Sequence, residues 1–171
     1  MPEVWLRGPV DGVPALLQPV AHALLQARED VTALTDELPA DRLWDRPGGA
    51  ASAGFHLQHL AGVLDRMLTY ARGEPLSDKQ LATLAAEGAR DEALTPAALA
   101  DAFGDGVDAA LAQLRATDPA TLADARPVGR QRLPSTVVGT LVHAAEHTQR
   151  HVGQLLVTVR VVGGGRPGRP S

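Results

Sequence analysis

Five of the six histidines of this 171-residue chain fall in two short stretches: His56 and His59 in GFHLQHLAGVLDR, and His143, His147 and His151 in HAAEHTQRHVGQL. On a helix, positions four apart differ by about 40° around the axis and ~6 Å along it, so two imidazoles at that spacing can reach one ion. His143/His147 and His147/His151 both meet this condition. His143 and His151 lie ~12 Å apart along the axis, too far to share an ion easily. His147 is therefore the common member. His56 and His59, three apart, lie on adjoining parts of one helical surface, and either could face the second stretch.

Three imidazoles with open positions make a catalytic type of metal site, because water or substrate can take the remaining corners. There is no cysteine, hence no thiolate ligand, no cysteine nucleophile and no disulfide framework. Imidazole nitrogen suits Zn, Ni, Fe or Cu better than Mg or Ca, and a divalent Zn, Ni or Fe ion is the expected cofactor. The string His143-Ala-Ala-Glu146-His147 also matches the inverted zinc-protease pattern, in which the glutamate is a general base. Nothing else in the chain supports a protease scaffold.

Helices must position these residues. Leu17, Val20, Ala21, Leu24, Val31, Leu34 and Leu38 recur at helical steps, predicting a first helix from about Pro14 to Leu38, closed by Pro39. Pro47, Gly48 and Gly49 predict an irregular loop. Ser52 is placed to cap a second helix running to about Ala71, with Phe55, Leu60, Val63, Leu64, Met67 and Leu68 facing the core. Ser77 and Gln80 form a capping pair for a short helix to about Ala89. Thr95 and Pro96 open a third long helix to about Ala116, with Gly104 and Gly106 weakening its middle. A fourth begins at Ser135 and ends at the glycines after Val162. No alternating strand pattern is evident. The expectation is all-α: an up-and-down four-helix bundle with a short extra helix in the 2–3 connection. Residues 1–162 form one domain, and 163–171, rich in Gly and Pro, a flexible tail.

Trp44 and Pro47-Gly48-Gly49, then Phe55-His56-Leu57-Gln58-His59-Leu60-Ala61, then His147-Thr148-Gln149-Arg150-His151-Val152-Gly153-Gln154-Leu155 carry a family resemblance. From about residue 14 to 160 the chain resembles the DinB/YfiT-like superfamily of metal-binding four-helix bundles. The resemblance implies that His59, from the second helix, and His147 and His151, from the last, are the metal ligands. His56 and His143 then neighbour the site. Many relatives carry an acidic residue shortly after the helix-two histidine, where this chain has Gly62. Gln154 continues the histidine stripe and is a candidate to orient an imidazole. Glu146 could touch the site only from its edge, and Asp65, Arg66 and Glu146 read as solvated or structural. Trp5 and Trp44 read as plugs at a bundle end.

The resemblance further implies a metal-dependent thiol S-transferase or a hydrolase, with a low-molecular-weight thiol and a small electrophile as partners in the first case. No residue reads as a dedicated acid or base, so the sequence leaves the two open. The alternative is a non-catalytic metal-binding or stress-associated bundle. The net charge of -4 and the lack of a Lys/Arg cluster argue against a nucleic-acid partner. No apolar run reaches the ~18 residues of a membrane span, and the N-terminus has no signal-peptide core. A cytoplasmic location fits the missing cysteines. A homodimer, common for bundles, is left open.

Overall fold

A computed structural model describes residues 1–164; the expected tail lies, but for Gly163 and Gly164, outside the described residues. The main elements are α1 (Gln18–Glu37), α2 (Ala53–Ala71), α3 (Asp78–Ala86), α4 (Pro96–Ala116) and α5 (Val137–Val162). Among the described residues there is no β-strand, only the isolated bridges Ala125–Thr136 and Val128–Leu133 in the connection before α5.

Local chemistry sets most boundaries. The Ser52 hydroxyl accepts from the Phe55 amide, and that of Thr95 from the Ala98 amide. Ser77 and Gln80 form the reciprocal capping box expected of them. α5 begins two residues later than expected, because Thr136 rather than Ser135 caps it, accepting from the Gly139 amide. The Ser135 carbonyl is occupied instead by the Arg126 amide. The loop before α2 is more ordered than its composition suggests. It holds short 3₁₀ turns at Ala40–Arg42 and Pro47–Gly49, the second with Gly48 and Gly49 both at positive φ. α4 runs unbroken through Gly104 and Gly106.

Each long helix buries one stripe. Leu17, Val20, Ala21, Leu24, Val31, Leu34 and Leu38 are buried as expected, as are Leu60, Val63, Leu64 and Leu68; Phe55 and Met67 are only half-buried. Phe103, Val107 and Leu114 on α4, and Leu141 and Leu155 on α5, complete the centre. The long helices pack as a closed ring in the order α1, α5, α2, α4. This corrects the simple up-and-down order, in which α1 and α2 would be neighbours, as would α4 and α5. Here the consecutive helices of each pair lie diagonally opposite. The consequence for function is direct: α2 and α5, which carry the histidines, are packed side by side.

The chain before α1 lies along that helix. The Val4 amide donates to Gln26, Arg7 pairs with Glu29, and the Gly8 carbonyl meets His22 Nε2 at 3.0 Å. His22 is thereby accounted for as a tether. Trp5 is no plug, being 61% exposed. Trp44 does pack inward: a Cβ on Gly54 would lie 2.5 Å from its ring, so Gly54 is what lets the indole lie flat on α2.

Candidate metal centre

The α2–α5 seam brings His59, His147 and His151 together. One ring nitrogen from each lies within 4.8 Å of the others. His59 Nε2 and His147 Nε2 are 3.0 Å apart, and the His59 and His151 ring centroids 4.3 Å. Nitrogens bound to one tetrahedral ion at ~2.0–2.1 Å sit roughly 3.3 Å from each other, so the pair is already near a shared-ion spacing. The donor set is uniform imidazole, which suits a borderline transition metal. His147 Nδ1 is buried without a hydrogen-bond partner among the described residues, so the ring's polar contact is the one its Nε2 makes toward His59. On these observations the three residues fit a divalent transition metal.

The site favours neutral rings, the form that ligates. Burial holds His151 well below its usual range, to about 4, reinforced by the imidazoles of His59, His147 and His56. Burial and then His59 lower His147, with His143 and Arg150 adding to the effect. His56 is lowered by burial and by His59.

The neighbours sort themselves by contact. His56 is buried, and its Nδ1 lies 3.1 Å from His151 Nδ1, so one ring donates to the other. His143 is exposed and turned to Glu146, at 3.1 Å, while Glu146 also pairs with Arg150. The Arg150 hydrogen bond lowers the Glu146 pKa against the opposing effect of desolvation. Glu146 is thus engaged at the rim. The inverted zinc-protease reading, in which His143 would ligate and Glu146 act as base, has no support in this arrangement. Gln154 is a correction: it is exposed and hydrogen-bonds no imidazole among the described residues. Asp65 is exposed and receives Gln80 Nε2.

Sequence reasoning missed one participant. Glu87, at the end of α3, places Oε2 2.6 Å from His59 Nδ1 and Oε1 2.6 Å from an Arg66 guanidinium nitrogen. Its side chain is 4% exposed and that of Arg66 7%, so of the two readings of Arg66, solvated or structural, the structural one fits. Burial pushes the Glu87 carboxyl up, but hydrogen bonds from His59 and Arg66 outweigh it and keep the group below its ordinary value. Glu87 is 28 residues from His59 and outside any spacing rule. The only hint in the sequence was Gly62, which leaves the space on α2 that the Glu87–Arg66 pair fills. Phe55 stacks on His59, with ring planes 12° apart.

No curated protein matches the chain. A family model described as the DinB superfamily matches residues 23–155, a span that includes all three clustered histidines, the whole of α2 and most of α5. On that match the chain belongs to the DinB superfamily.

Proposed function

We propose that this DinB-superfamily protein binds one divalent transition metal through His59, His147 and His151 and is a metal-dependent thiol S-transferase. The observation that carries the reading is the convergence of three imidazoles from α2 and α5 to within 4.8 Å. When bound, such an ion lowers the pKa of a thiol or a water at its open position. The protein holds three corners, and burial favours the unprotonated rings of His147 and His151. His56 and Glu87 take the outer ring nitrogens of His151 and His59, limiting how the rings can turn.

Thiol transfer is preferred to hydrolysis for one reason. Both carboxylates near the cluster are already engaged: Glu87, which touches His59, by His59 and Arg66, and Glu146, at the rim, by His143 and Arg150. Hydrolysis asks for a positioned base to deprotonate water. A thiol, with a much lower intrinsic pKa, needs less help. A small thiol and a small electrophile are the corresponding substrates.

The test is metal analysis of the purified protein followed by turnover assays of the Zn-, Ni- and Fe-loaded forms. Cysteine, glutathione, bacillithiol and mycothiol are each offered with an electrophile, beside a panel of ester and amide substrates. Thiol consumption that disappears in the His147→Ala variant supports the reading. Ester or amide turnover alone would move it to a hydrolase. Stoichiometric metal with no turnover would leave a non-catalytic metal-binding bundle.

A further inference from the structure

We infer that Glu87 is the positioning residue of this centre: by accepting the Nδ1 proton of His59 it fixes the tautomer that leaves Nε2 free to ligate. The inference rests on the three-histidine reading of the site and says how one ligand is prepared.

A neutral imidazole carries its proton on one nitrogen only. Glu87 Oε2 lies 2.6 Å from Nδ1, and an ionised carboxylate can only accept, so the proton belongs on Nδ1 and the lone pair on Nε2. Nε2 is the atom that faces His147, at 3.0 Å. The carboxylate is itself held. Arg66, about two turns further along α2 than His59, donates to Oε1 at 2.6 Å, and both side chains are nearly inaccessible to solvent. Room for the pair exists because residue 62 is glycine: a Cβ there would lie 2.4 Å from Glu87 Oε1 and 2.6 Å from the Arg66 nitrogen.

The segment bearing Glu87 is fastened independently. The Gly88 amide donates to Gln58 Oε1 at 2.7 Å, and Gly88, at φ +82°, sits against the Phe55 ring. The connection after α3 therefore works as a strap across α2, and its carboxylate meets the ring nitrogen of His59 that is not the one facing His147. An outer carboxylate on a ligating histidine fixes ring orientation and raises its basicity, and losing one typically costs ~10–100-fold in metal affinity.

The experiment compares wild type with Glu87→Ala, Glu87→Gln and Gln58→Ala. Nitrogen-15 NMR of the metal-free protein at pH 8 reads the His59 tautomer, and competition with a chelating dye reads Zn affinity. The expected wild-type form carries its proton on Nδ1. Glu87→Ala should lose that preference and bind zinc about 10–100-fold more weakly. Glu87→Gln, which guards against misfolding of the alanine variant, has one acceptor oxygen to serve both His59 and Arg66 and should fall between. Gln58→Ala loosens the strap but leaves the carboxylate in place, so it should keep the tautomer and most of the affinity. A wild-type proton on Nε2, an unchanged tautomer without the carboxylate, or an equal loss in Gln58→Ala overturns the assignment. If wild-type protein takes up no zinc, the metal reading falls, and the tautomer comparison alone then judges Glu87.

Discussion

At the scale of single residues, the centre depends on imidazoles kept neutral by burial and by each other. His147 belongs to both pairs that a spacing of four allows on α5 and also lies within reach of His59, so His147→Ala should weaken zinc binding by more than the ~10–100-fold typical of a lost outer partner. His143→Ala should leave it largely intact, since His143 is exposed and turned to Glu146. Isothermal titration of both variants reads the order, and a reversed order would overturn the ligand assignment. A pH dependence follows from the same burial. The unfolded chain protonates His151 near 6.5, whereas the folded, metal-free protein resists until about 4. Within that window the unfolded state binds more protons, so stability is full above about 6.5 and declines as pH falls toward 4. His147 and His56, lowered in the same direction, add to the decline. Thermal melts of chelator-treated protein from pH 8 to pH 4 should show it, and a midpoint that stays flat over this range would refute it.

Elements decide which residues can meet. α2 presents His56 and His59 on one surface while burying Leu57, Leu60 and Leu64 on another. α5 does the same with His147 and His151 beside Ala144, Val152 and Leu155. The α3–α4 connection adds the carboxylate, and its docking is sensitive to Gly62. Gly62→Ala should drive apart Glu87 and Arg66, because the new methyl would sit inside both side-chain ends. Those ends can shift, so the fold should survive with near-native helicity by circular dichroism. Zinc affinity should nevertheless drop toward that of Glu87→Ala. Unchanged affinity would mean that the pair tolerates displacement and that the glycine is there for another reason.

For the whole molecule, the ring order α1, α5, α2, α4 makes the site a bridge between two helices far apart in sequence. An ion bound there ties α2 to α5 only in the folded state. Zinc at 100 times its dissociation constant should then stabilise the protein by about 2.7 kcal/mol. For a chain of this size that is a rise in melting temperature of roughly 5–11 °C. Chelator should reverse the shift. Differential scanning fluorimetry with and without zinc checks it, and a melting temperature indifferent to metal would remove the case for an ion at the seam. None of the described helices is long and apolar enough to cross a membrane.

What the sequence determined by itself was local. Helix starts were written in Ser52, Ser77 with Gln80, and Thr95 with Pro96, because a cap acts over three residues. The buried stripes followed from a 3.6-residue period, and the pairing of His147 with His151 from a spacing of four. The resemblance to the DinB-like bundles added His59, and the structure brings the three together. Tertiary structure alone decided the rest. The ring order depends on how four similar stripes interlock, and helical periodicity carries no information on which neighbour each stripe meets. Glu87 depends on where a connection crosses α2, a contact 28 residues long in sequence that becomes 2.6 Å only when Gly62 leaves the space open. Gln154, spaced along α5 like the histidines, is exposed, and spacing within one helix does not tell how far its neighbours cover that face.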